Sequence, residues 1–189
     1  MRKGVHQRGV IEHALQLVLG VAGQHALGPG ERALHTPVCT GEDIFCLDGF
    51  RPLLDARAVN IIHPDMATSG GILETKRIGD YAQERGVSMA LHMAGTPIST
   101  LASVHCAAAT ENFIALEHHF SEIPFWGDFI DGIPKPIIQS GYIQVPEGPG
   151  LGFSVNEAAI RAHLVPWDLG YFEPTPQWDE LHSWDRLWS

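Results

Sequence analysis

Basic residues are scarce in this chain: Lys and Arg total 12 against 22 Asp and Glu, giving a formal net charge of -10 over 189 residues. A phosphate-binding surface needs a basic patch, so nucleic acid is not an expected partner. Cysteine is scarce as well. Cys39, Cys46 and Cys106 are odd in number and form no Cys-x-x-Cys pair, which reads as reduced, mostly buried thiols of a cytoplasmic protein and argues against zinc. Long hydrophobic runs are missing too. The longest, near Ala14–Ala22, is broken by Gln16 and Gly20 and ends at Gln24, too short to span a bilayer, so no membrane partner is expected. Arg2 and Lys3 ahead of it have a faint look of a signal peptide, but His6, Arg8, Glu12 and His13 stand between them and the run. What is present, 44% hydrophobic and 8% aromatic residues, suffices for a sizeable core in one domain, or in one domain with a decorated tail.

The informative pattern is a repeat. Glu42, Asp65, His92 and Glu117 each close a short apolar run and lie 23, 27 and 25 residues apart. That interval holds one strand, one helix and two short loops of a parallel α/β fold. Strands are expected at 37–41, Val59–Ile62, Val87–Leu91 and Phe113–Leu116, with helices over Leu47–Arg57, from after Gly70-Gly71 to just before Gly86, and over Ile98–Thr110. In the second helix Ile72, Leu73, Ile78 and Tyr81 are expected on one side, with Glu74, Lys76, Arg77 and Asp80 largely on the other. Residues 1–35 read as an atypical start, a helix over Ile11–Val21 and a glycine-rich loop. After Phe120, prolines break any long helix; a small hairpin is expected around Ser140-Gly141. Ser154-x-x-Glu157 reads as a capping box opening a helix to about Leu164. Residues 165–189, rich in tryptophan and proline, read as an extended tail.

The carboxyl ends of parallel strands share one face, and that face carries the chemistry of such folds. Each terminal residue has a plainer reading. Glu42 could be a solvated loop acid or a first-turn helix acid, Asp65 a cap or turn residue, His92 a satisfied core histidine and Glu117 a rim charge. Four at one mouth favour a site. A histidine backed by an aspartate keeps one tautomer and transfers protons near neutral pH. A further carboxylate can ligate a hard cation such as Mg²⁺, and another acid can hydrogen-bond developing oxyanion charge. Abstraction of a proton alpha to a carboxylate is a problem of this kind.

Residues 36–164 resemble the carboxy-terminal barrel portion of the enolase superfamily, in the mandelate racemase/muconate lactonizing enzyme group. The pieces that carry the likeness are Thr40-Gly41-Glu42-Asp43, Pro64-Asp65 with Ser69-Gly70-Gly71, Leu91-His92-Met93, Leu116-Glu117-His118-His119 and Pro149-Gly150-Leu151-Gly152, in that order. The resemblance implies a partial TIM (β/α)8-type barrel comprising about the last four βα units. It implies that Glu42 is a metal-binding carboxylate and that Asp65 and His92 form an acid/base dyad. Glu117 would be the acid that hydrogen-bonds the substrate carboxylate, with His92 beside it against the substrate. Many members with this dyad are acid-sugar dehydratases: Mg²⁺ assists alpha-proton abstraction, an enediolate forms and water is lost. Racemases and cycloisomerases of the same group share the first step, and members are often homo-oligomers.

The family's other two metal carboxylates find no counterpart, since neither Glu12 nor Glu31 ends an apolar run. The sequence thus reads as a truncated member with weak or no turnover by itself, and a non-catalytic fragment is the competing expectation. A half barrel would also leave two open sheet edges. A flavodoxin-like or phosphate-binding domain would need a richer glycine loop than Gly70-Gly71.

Overall fold

Alternating strands and helices of the length the repeat demands are what the computed structural model shows over residues 5–6, 36–120 and 122–165, the part of the chain it describes. Val5–His6 forms a short strand, β1. Four parallel strands follow: β2 (Cys39–Thr40), β3 (Ile61–Ile62), β4 (Ser88–Leu91) and β5 (Phe113–Leu116), side by side in chain order. Between them run α1 (Cys46–Asp55), α2 (Gly71–Glu84) and α3 (Pro97–Ala108). Each parallel crossover uses one helix, because a tight turn cannot return the chain to the same end of the sheet. The fold is therefore the expected α/β arrangement of a partial barrel. The expected helix over Ile11–Val21 and the tail beyond Val165 lie outside the described residues.

Local chemistry sets the element ends. Pro97 occupies the first turn of α3, where its missing N–H costs no bond, and the Thr96 side chain accepts from Ser99 N. The start of α1 is capped from its neighbour: Leu47 N donates to Glu74 Oε1 of α2 at 2.8 Å. Apolar residues of the helices meet the sheet in one core, with Phe50, Leu54, Ile62, Ile78, Met89, Leu91, Leu101 and Val104 all at zero exposure. Helix α2 departs from expectation. Ile72 and Leu73 are 42% and 74% exposed, and its buried stripe is Thr75, Ile78, Gly79 and Ala82. The small residues face the sheet because Met89 and Thr110 approach so closely there: a Cβ on Gly79 would lie 2.8 Å from Thr110 Cγ2.

Beyond β5 come a 3-10 turn (Trp126–Phe129) and strands β6 (Ile130–Asp131), β7 (Ile138–Gln139), β8 (Tyr142–Ile143) and β9 (Ser154–Val155). The hairpin β7–β8 forms around Ser140-Gly141 as expected, with β1 pairing antiparallel to β8. The capping box does not form. Ser154 belongs to β9, paired with β6, and α4 (Glu157–Ala162) is capped instead by Asn156, whose side chain accepts from Ala159 N. An asparagine one residue before the helix outcompetes a serine committed to a strand ladder.

The sheet registers place Ile62 opposite Met89 and Leu91 opposite Leu116, with a bridge between Asp65 and His92. Between β4 and β5 the register shifts: Met89 faces Phe113 but Ala90 faces Ala115, so Ile114 is an extra residue on β5. One polar side chain braces these strands from within. His63, 6% exposed, donates from Nδ1 to the Ala90 carbonyl at 2.9 Å, and its Nε2 lies 3.1 Å from Glu117 Oε2. Burial opposes the imidazolium, but hydrogen bonding with Cys39 and Glu117 outweighs it, so the His63 pKa rises well above its ordinary value. The same contact outweighs burial of Glu117 and draws its pKa down to about 2.

Two outcomes follow for stability. Gly41 has φ +132, and an added Cβ would meet Phe50 Cε1 at 2.7 Å, so Gly41→Ala should lower unfolding free energy by about 2 kcal/mol in urea titration. The His63–Glu117 pair contributes fully between pH 4.5, the ordinary glutamate value, and pH 6.5, the ordinary histidine value. Its contribution fades as pH falls below the first, because Glu117 has a lowered pKa, and as pH rises above the second, because the His63 pKa is raised. Denaturation midpoints measured across pH should show this plateau, and His63→Leu should lower stability by about 2–3 kcal/mol within it.

Candidate active site

Each β-strand end delivers one ionisable side chain to a common mouth. Asp65 and His92 are cross-strand partners, because the backbone bridge between them carries the β3–β4 register onward; His92 N donates to Pro64 O at 3.1 Å. Glu117 N donates to Leu91 O at 2.9 Å, which sets Glu117 beside His92 on the other flank. Neighbouring residues in one register line project to the same side of a sheet. Glu42 arrives from the turn after β2.

His92 is the hub. Its Nδ1–H donates to Asp65 Oδ2 at 2.7 Å, and its Nε2 lies 3.5 Å from both Glu42 Oε2 and Glu117 Oε2. The Asp65 contact fixes the tautomer and leaves Nε2 as the working nitrogen. Asp65 is itself held: its Oδ1 accepts from Ala67 N at 2.6 Å and from Thr68 N at 3.3 Å. Burial would raise the Asp65 pKa, but the His92 bond and those amides prevail and hold it below the usual range. Burial likewise opposes protonated His92, yet Asp65 and the charge of Glu117 prevail and raise its pKa. The ring, held by Asp65, is placed to take up and release a proton at Nε2.

Glu117 collects three further contacts. Oε2 takes His63 Nε2 at 3.1 Å and Met93 N at 3.4 Å, and Oε1 takes His119 Nε2 at 2.8 Å. Its depressed pKa makes it an ionised acceptor here. Two histidine donors and a backbone amide outweigh burial and stabilise this charged form. All four expected residues, Glu42, Asp65, His92 and Glu117, thus gather at one place. Two that spacing did not single out, His63 and His119, stand with them. A signal existed for both. His63 lies two residues before Asp65 and His119 two after Glu117, and positions i and i+2 of an extended run share a face.

Magnesium requires an octahedral shell of oxygens. Asp65 is committed to His92 and two amides, and Glu117 to histidine and amide donors, which leaves Glu42 as the carboxylate disposed toward a hard cation. The described residues by themselves do not fit Mg²⁺.

Residues 18–159 match the enolase C-terminal domain-like family. The chain is 39% identical over 130 residues to a D-xylonate dehydratase of Haloferax volcanii, covering 69% of this chain and 31% of that protein. It is 30% identical over 130 residues to a D-galactonate dehydratase of Ralstonia pickettii, covering 67% and 34%. Among solved structures, a mandelate racemase/muconate lactonizing enzyme-like protein from Rubrobacter xylanophilus superposes with a TM-score of 0.69 at 38% identity, covering 72% of this chain and 34% of that one. A mandelate racemase/muconate lactonizing enzyme from a Sulfitobacter species gives 0.64 at 34% identity, covering 70% and 32%. The chain spans about a third of the length of the relatives it matches. A parallel βα repeat with a histidine–aspartate pair at its carboxyl mouth, together with these matches, places the chain in the enolase C-terminal domain-like family, within the mandelate racemase/muconate lactonizing enzyme group.

Proposed function

We propose that the site performs acid-sugar dehydration: alpha-proton abstraction from a sugar acid of the D-xylonate and D-galactonate class, with loss of water. The observation that carries this reading is the 2.7 Å Asp65–His92 contact, with His92 Nε2 turned toward the mouth. Relatives named as D-xylonate and D-galactonate dehydratases supply the substrate class.

Neutral His92 takes the alpha proton at Nε2 while Asp65 holds the ring and stabilises the imidazolium that results. The electron pair left on the alpha carbon delocalises into the carboxylate as an enediolate. Collapse of that enediolate breaks the beta carbon–oxygen bond, and the departing hydroxide takes the proton that His92 gained, leaving as water. The enol product then becomes the 2-keto acid. Glu117, ionised, faces the same space and accepts a hydrogen bond from a sugar hydroxyl. Mg²⁺, where bound, would neutralise enediolate charge, with Glu42 as one of its ligands; the steps assigned to this chain's residues do not run through it. Three free thiols support a cytoplasmic setting. The expectation of weak or no turnover narrows in this reading to weak turnover by the chain itself.

The test is to incubate the purified chain and Mg²⁺ with D-xylonate or D-galactonate in D₂O, following 2-keto acid formation and alpha-deuterium incorporation by NMR. Slow dehydration is expected, and His92→Asn should reduce it about a hundredfold or more. Failure of both reactions, or turnover indifferent to His92→Asn, overturns the assignment. Asp65→Asn should slow the reaction and move the acid limb of the pH–rate profile to lower pH, because the carboxylate that raises the His92 pKa is gone.

A further inference from the structure

His92, Glu117 and His119 bring two imidazole nitrogens and a carboxylate oxygen within 4.8 Å of one another. We propose that these three residues form a binding site for a borderline divalent cation of the zinc type, whose nitrogen donors set it apart from the all-oxygen shell that Mg²⁺ needs. The inference does not rest on the dehydratase reading.

The donor set decides the class of ion. Imidazole suits zinc, cobalt, nickel and copper, whereas magnesium takes oxygen. Two histidines and one carboxylate with room for water form a recurrent open site for such metals. The scarcity of paired cysteines bears only on thiolate sites, and none is invoked here. Three features prepare the group. Asp65 occupies His92 Nδ1 at 2.7 Å, so Nε2 faces outward with its tautomer fixed, the carboxylate–histidine–metal pattern. His119 Nε2 lies 2.8 Å from Glu117 Oε1, so the two groups already face each other across a contact that a bound ion would replace. Donors bonded to zinc at 2.0–2.1 Å in a tetrahedron stand about 3.3 Å apart, so the His119–Glu117 pair at 2.8 Å must open slightly while donors up to 4.8 Å apart close in. Glu42 Oε2, 3.5 Å from His92 Nε2, is placed to supply a fourth ligand. The His119 side chain is 51% exposed, which gives an ion a path from solvent.

Occupancy would tie up His92 Nε2, the nitrogen left open by the Asp65 contact. The experiment is calorimetric titration of ZnCl₂ into the full chain without a histidine tag, with Co²⁺ absorption as a second readout. One tight equivalent and an intense visible cobalt band are expected. His119→Gln should weaken that equivalent at least tenfold and Asp65→Asn by about 10–100-fold, each variant being checked for an unchanged far-ultraviolet circular dichroism spectrum. His105→Gln, whose ring is bonded to Leu151 O far along the chain, should leave it unchanged. On the unaltered chain, Co²⁺ should broaden the imidazole NMR signals of His92 and His119 before those of other histidines. The proposal is overturned by the absence of a tight equivalent, by one that survives His119→Gln undiminished, or by broadening that begins at other histidines.

Discussion

The hydrogen bonds of His63 are what the mouth of this sheet depends on. A buried imidazole reaches from β3 to the Ala90 carbonyl of β4 and to the carboxylate that ends β5. It thereby fixes the distance between strands whose ends hold the reactive groups. It also sets charge: Glu117 stays ionised because His63 is beside it, and an ionised Glu117 in turn raises the proton affinity of His92. A packing residue and an electrostatic one are here the same side chain. Replacing a buried charged pair by one partner is costly, since the survivor keeps its desolvation penalty.

Around His92 the site divides into two halves of different character. On the Asp65 side everything is committed: both carboxylate oxygens are bonded, and their partners belong to rigid backbone or to the ring itself. On the Glu42 and His119 side the groups are exposed and loosely engaged. A committed half suits orientation, which requires a ring that does not wander. A loose half suits the exchange of substrate, water or ions. The division follows from topology, because Asp65 and His92 are bridged backbone to backbone just past β3 and β4, while Glu42 and His119 stand in loops without such a bridge among the described residues.

Much of this was legible in the sequence. Spacing alone predicts the four parallel units, and Phe113–Leu116 is a strand as read. The gathering of Glu42, Asp65, His92 and Glu117 follows from the same spacing, since strand ends of a parallel sheet must share a face. Ionisation was not legible. The pattern gives no account of the donors around Glu117, His63 and His119 among them, that draw its pKa down to about 2 against burial. Competition between local motifs was equally hidden, as the unused capping serine at Ser154 illustrates. Helix α2 misled because the repeat of large apolar residues includes Ile72 and Leu73, whereas close sheet contact selects Gly79 and Ala82.

The additional residue on β5 has a consequence for the rim. With Ile114 inserted, Ala115 and Leu116 pair with Ala90 and Leu91, and this displaced line runs on to Glu117, whose N–H meets Leu91 O beside His92. Side chains alternate faces along a strand, so without that insertion the carboxylate would project from the opposite face.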